Sequence, residues 1–210
     1  MSKNVLIAFE CSQVVCKAFR ERGFNAYSLD IQPCYGGMPE WHIQTDAFNE
    51  INKPFWDLVI MHPPCTFLTC AANKYYNVDV YGEKALRRIE ERKEAVKLFL
   101  RCTECSAQKW AIENRVGVMS TLYRKPDCVI NPYQFGEPER KRTCLWLRGL
   151  PPLRATKVVE PVVIRFGSGK TDSPLHYKTM FMPEEERQRI RSQTFAGIGK
   201  AIAEQWGAVI

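Results

Sequence analysis

Residues 56–65 read WDLVIMHPPC, an apolar run from Leu58 to Met61 that stops at a histidine, two prolines and a cysteine. Unbroken apolar character, rather than alternation, marks a strand buried on both faces, as in a parallel sheet. Proline cannot donate to a ladder, so the strand ends at Pro63. Asn4–Glu10 (NVLIAFE), Ala26–Asp30 (AYSLD) and Lys109–Glu113 (KWAIE) read as further strands. Between them lie helical patterns, one over Val14, Val15, Ala18 and Phe19, stopped by Gly23. Another runs from Glu83 to about Ser106, with Leu86, Ile89, Val96, Leu98, Phe99 and Leu100 as its apolar residues and RRIEERKE as a solvated face. Strands alternating with helices predict an α/β fold with a doubly wound, mainly parallel sheet. Thr143–Leu147 and Val158–Ile164 read as strands of an antiparallel end, and Glu184–Arg191 and Phe195–Trp206 as helices. The expected organisation is one domain over residues 1–210, with a small accessory region at 148–180.

The composition, 45% hydrophobic and 25% charged over 210 residues, is that of a globular protein and excludes disorder and coiled coil. No apolar run reaches the roughly 18 residues that span a bilayer. MSKNVLIAFECS lacks the sections of a secretory signal, so a cytoplasmic location, bacterial or in a phage-infected cell, is expected. The nine cysteines are odd in number and without framework spacing, which suits reduced thiols. Cys102 and Cys105 form a close pair with no second pair at zinc-finger spacing, and His42, His62 and His176 are isolated, so no metal site is expected. GSGKT at Gly167–Thr171 has Phe166 and no earlier glycine at the spacing a phosphate loop needs. The formal charge of +7 suits a polyanionic partner.

Doubly wound sheets bind ligands at the carboxyl ends of their strands. The sequence brings two reactive groups there. Cys65 follows the rigid Pro63-Pro64 turn and is a candidate nucleophile. Glu113-Asn114 ends another strand, where partial desolvation would raise the carboxyl pKa and make it a proton donor. At the first strand, FECSQ contains no glycine, so the dinucleotide-binding pattern fails. Asp30 ends the second strand, where an acid can bind ribose hydroxyls.

Phe9–Gln13, His62–Cys65 (HPPC), Glu113–Arg115 (ENR) and Phe135–Leu147 (FGEPERKRTCLWL) occur in the order seen in DNA cytosine-5 methyltransferases, and the chain resembles the compact, phage-type members of that family. The resemblance extends to TFAGIGKAIAEQWG at the C-terminus. It implies methylation of cytosine carbon 5 in DNA with S-adenosylmethionine, on a base flipped from the duplex. Cys65 would attack carbon 6, Glu113 would serve ring nitrogen 3, and Arg142, with Arg140 or Lys141 beside it, would hold the base and its phosphates. Phe9, Glu10, Cys11, Ser12 and Pro63 would flank the methionine part of the cofactor, Asp30 the ribose, Ile31 the adenine face and Asp46 the adenine amino group. Pro64, Asn114 and Arg115 would line the substrate side, and Thr66–Tyr81 would be a mobile loop closing over it. Arg115 stands where the family has Val, the Gly-Asn element near the C-terminus is missing, and the segment after Leu147 is short for a target-recognition domain. Target specificity is therefore expected to be short or absent, or to be supplied by a partner protein. The same chemistry on RNA or another pyrimidine, and a non-catalytic binding protein of this fold, are the alternatives.

Overall fold

The computed structural model describes residues 2–210. Its strands are β1 (Asn4–Ala8), β2 (Asn25–Asp30), β3 (His42–Gln44), β4 (Leu58–Met61), β5 (Trp110–Arg115), β6 (Cys128–Ile130), β7 (Thr143–Arg148), β8 (Ile164–Arg165) and β9 (Thr171–Asp172). The helices are α1 (Val14–Arg20), α2 (Val78–Tyr81), α3 (Glu83–Thr103), α4 (Met119–Leu122), α5 (Pro174–Lys178), α6 (Glu184–Ser192) and α7 (Ala196–Gly207). Seven strands form one sheet in the order β3-β2-β1-β4-β5-β7-β6. The pairs among the first five are parallel, while β7 runs antiparallel to β5 and to β6. The expected doubly wound sheet with an antiparallel end is the one observed, and its order is consistent with the methyltransferase type of that fold.

Strand alternation divides the core. Val5, Ile7, Leu58, Ile60, Ala111 and Leu145 face α1 and α7, packing on Phe19, Ile198, Ile202 and Trp206. Leu6, Ala8, Val59, Met61, Ile112 and Trp146 face α3 through Phe99 and Cys102. Cys102 and Cys105 are core residues here, and the Cys105 thiol donates to the Ile51 carbonyl at 3.3 Å. No helix among the described residues is long and apolar enough to cross a membrane.

Several elements differ from expectation. Val158–Ile164 is no regular strand, and only Ile164 pairs, with Asp172 in the hairpin of β8 and β9. Pro161 lies in its middle, and its amides donate elsewhere, Val159 to the Tyr133 carbonyl and Val162 to that of Pro138. The strands β3 and β6, each of three residues, were not anticipated.

The topology fixes the site. From β1 the chain proceeds to β2 on one side, while β4 lies on the other, so the carboxyl ends of β1 and β4 flank a switch point. The loop after β1 carries Phe9–Gln13, and the loop after β4 carries His62–Cys65.

Candidate active site

The register places the central pair. Met61 lies opposite Ile112 in the parallel β4–β5 ladder, so the next residues, His62 and Glu113, are neighbours on the face toward α7. His62 Nδ1 and Glu113 Oε2 are 2.9 Å apart. Asn114 points to the other face, is 1% exposed, and its Nδ2 donates to the Pro63 carbonyl at 2.8 Å. Asn114, expected on the substrate side, therefore anchors the Pro-Pro turn that carries Cys65.

Cys65 is partly buried, and its thiol is pushed above the ordinary value, first by burial and then by the Glu113 carboxylate. Arg115 and Lys141 pull it down. The expected rise of the Glu113 pKa is corrected. Burial does raise it, but the hydrogen bond and charge of His62, with Lys141 and Arg115, hold the carboxyl below the usual range. At rest the proton therefore sits on the Cys65 sulfur and Glu113 is a carboxylate.

The basic triplet divides by strand alternation. Thr143 pairs with Arg115, and Leu145 with Glu113, so Lys141 shares their face. Its Nζ donates to the Arg191 carbonyl at 2.9 Å, at the C-terminal end of α6. Burial pulls its pKa down, while the charges of Glu113 and Cys65 push it up. Arg142 is exposed and acts on Cys144, on the opposite face, and Arg140 is exposed too. The expectation that Arg142 turns to the reacting groups is thus corrected: Lys141 does.

The loop after β1 is built without glycine, and Phe9 and Gln13 adopt positive φ, 61° and 60°. This region costs an ordinary residue about 1–2 kcal/mol. What holds it is hydrogen bonding. Gln13, fully buried, donates to Ser28 Oγ at 3.2 Å and the Met38 carbonyl at 2.7 Å, and accepts from the Met38 amide at 3.0 Å. Glu10 folds back to accept from the Val15 amide at 2.8 Å and the Cys16 amide at 3.2 Å. It caps α1 from outside the helix and occupies the N–H groups that would otherwise receive a ligand's anion. Glu10, expected to flank a cofactor, thus serves in the fold as a helix cap. Burial raises its pKa, against the pull of His62 and these amides.

Beyond β2, Ile31 is 67% exposed, a large apolar face open at the carboxyl edge. Asp30 Oδ1 accepts from the Gln32 amide at 3.0 Å. Burial and the Asp30 carboxylate push the Cys11 thiol up to about 12. Ser12 is buried, its hydroxyl 3.4 Å from Glu10 Oε1. Asp46 is exposed, and its carboxylate accepts from the Phe48 amide at 2.8 Å. The segment over Thr66–Tyr81, expected as a mobile loop, is held at its base. Leu68 is buried, its carbonyl accepts from Val118, and a Cβ on Gly117 would stand 2.0 Å from that carbonyl. Arg92 donates to the Phe67 carbonyl at 2.8 Å and stacks 3.5 Å from the centre of Tyr76.

Sequence reasoning missed His62 as a partner of Glu113 and Gln13 as the brace of the first loop. The signal for His62 was available, since both residues are the first beyond apolar runs that pair in parallel. No family model matches the chain, and no curated protein does.

Proposed function

We propose that the protein is an S-adenosylmethionine-dependent methyltransferase acting on carbon 5 of cytosine in DNA through a covalent Cys65 adduct. The observation that carries the reading is geometric: the loop after β4 brings the Cys65 thiol beside the adjacent strand β5, which carries Glu113, with the thiol pushed up and the carboxyl held down in pKa and with Lys141 and Arg115 acting on both. This pairing suits an attack in which the sulfur gives up a proton and the ring gains one. The sulfur bonds to carbon 6, the carbon 5–carbon 6 π electrons shift toward nitrogen 3, and Glu113 carries the thiol proton there. Lys141 and Arg115 stabilise the negative charge in transit. Carbon 5, now the terminus of an enamine, takes the methyl group. The carbon 5 proton then leaves to solvent, and expulsion of the Cys65 sulfur, with the nitrogen 3 proton returned to it through Glu113, restores the ring.

The cofactor supplies an electrophilic methyl on a sulfonium. The residues at the edge of β1 and β2 fit it. Asp30 can take ribose hydroxyls, and Ile31 offers an exposed apolar face to a purine. Glu10 favours a cationic group over a phosphate, because its carboxyl already fills the α1 N-terminus. A pyrophosphate cofactor would meet side chains where it needs bare backbone.

The test is transfer of label from methyl-tritiated S-adenosylmethionine to DNA, with RNA and free nucleotides as competing substrates and nucleoside analysis of the product. Labelled 5-methylcytosine is expected from DNA. Cys65→Ser should abolish it, and DNA carrying 5-fluorocytosine should trap a protein adduct with native protein only. Label in RNA alone, or full activity of Cys65→Ser, would overturn the assignment.

A further inference from the structure

His62 is the one charged-capable side chain of the site to which the chemistry above gives no task. Its side chain is 10% exposed, Nδ1 is spent on Glu113, and Nε2 is buried without a hydrogen-bond partner. Buried polar atoms are nearly always paired, so an orphan beside reacting groups calls for a reason. The imidazole lines a cavity of about 20 Å³ whose walls include Glu113, Lys141, Thr143, Leu145 and Ile198, yet none of these groups hydrogen-bonds Nε2. That volume admits a water molecule beside the pair. The ring is also fixed along the chain, because the His62 amide donates to the Ala8 carbonyl at 3.0 Å and Asn114 clamps the next residue.

We infer that His62 is a positioning residue for this reaction: by binding Oε2 of Glu113 it leaves Oε1 as the single oxygen that carries the proton from Cys65 to ring nitrogen 3. The inference rests on the proposed methyl transfer and names the device that makes Glu113 a base rather than a spare acid. A carboxylate free to rotate would offer either oxygen to the thiol and would take its proton from solvent. Tied at Oε2, it presents one oxygen in one orientation. The charged groups around Glu113 are His62 after β4, Arg115 on β5, Lys141 before β7 and the Cys65 thiol, while Glu10 after β1 is felt at His62. Helix α7 contributes only Ile198 and Ile202 to this wall. Of the groups that lower the Glu113 pKa, His62 acts most strongly.

The sign of the pH effect follows. Without His62, Glu113 holds its proton to higher pH and is available as a base only above that point. The acid limb of kcat/KM for DNA should move to higher pH. His62→Asn keeps polarity but is too short to reach Glu113, and should lower kcat by roughly 100-fold, the scale of a mispositioned acid–base group, with the KM for S-adenosylmethionine within about threefold. His62→Gln can still donate an amide hydrogen to Oε2, and should restore most of the rate with the acid limb close to that of the native protein. Melting curves and cofactor-induced shifts of both variants check that they fold. A rate loss in His62→Asn with an unmoved acid limb would make His62 merely structural, and an undiminished rate would remove it altogether. Should His62→Asn fail to fold, a displaced acid limb in His62→Gln would overturn the inference by itself. If Cys65→Ser and Glu113→Gln retain activity, the methyl-transfer reading fails instead; if they are inactive and the histidine variants are indifferent, only the role of His62 fails.

Discussion

Lys141 and Arg142 are neighbours in sequence and opposite in effect. The run Arg140-Lys141-Arg142 is uniformly basic, and nothing in its composition tells which side chain meets the reacting groups. The decision lies in the ladder, because the pairs Glu113 with Leu145 and Arg115 with Thr143 set a parity that turns Lys141 inward. Residue identity was thus legible at Cys65 and Glu113, which follow buried apolar runs, and illegible here, where a one-residue step exchanges faces. Since Lys141 and Arg115 pull the Cys65 thiol down, Lys141→Met should raise the pH midpoint of Cys65 alkylation by iodoacetamide. Arg142→Ala should leave that midpoint in place. The same Lys141→Met change should slow turnover roughly 100-fold, because the developing charge is no longer stabilised. Equal effects of the two substitutions on alkylation would return Arg142 to the site.

Helix α1 shows what an element can hide from sequence. Its start was readable from Val14, Val15, Ala18 and Phe19, but not its cap, because Glu10 reaches it across an intervening loop rather than from the usual position. The strands β3 and β6 escaped for a simpler reason: three residues are too few to show a period. Two outcomes test the α1 entry. Gln13→Ala leaves the Met38 carbonyl and the Met38 amide without their partner and should destabilise by about 1–3 kcal/mol in urea unfolding. Glu10→Gln tests the cap through pH. The folded pKa of Glu10 is raised above 4.5, so between the two values the folded state binds the proton more tightly than the unfolded state does. The contribution of Glu10 therefore declines as pH rises through that window. The melting-temperature gap between native protein and Glu10→Gln should narrow as pH rises above about 4.5. A gap that widens would mean the amides and His62 outweigh burial.

At the scale of the whole molecule, the alternation of buried strands and helices made the fold class legible, and with it the edge where Cys65 and Glu113 meet. The accessory region was less legible, because the hairpin of β8 and β9 is only two residues long on each side and its flanking chain follows no period. On the proposed reading, that region is small for reading a base sequence, so affinity for DNA would rest on charge. The +7 balance would supply it, and Arg140 and Arg142, exposed beside the inward Lys141, would be the side chains to contact phosphates. Binding should fall steeply with salt and differ little among sequences. Replacing Arg140 and Arg142 together by Ala should weaken binding to all duplexes alike and reduce the slope of log K against log salt by about one for each phosphate no longer neutralised. The rate at saturating DNA should stay within about threefold of native, since Lys141 remains to serve the reacting groups. Titration of a fluorescent duplex at several salt concentrations, paired with single-turnover rates, separates the two effects. An unchanged slope would deny these arginines the phosphate role, and a collapsed single-turnover rate would put them at the reacting base instead.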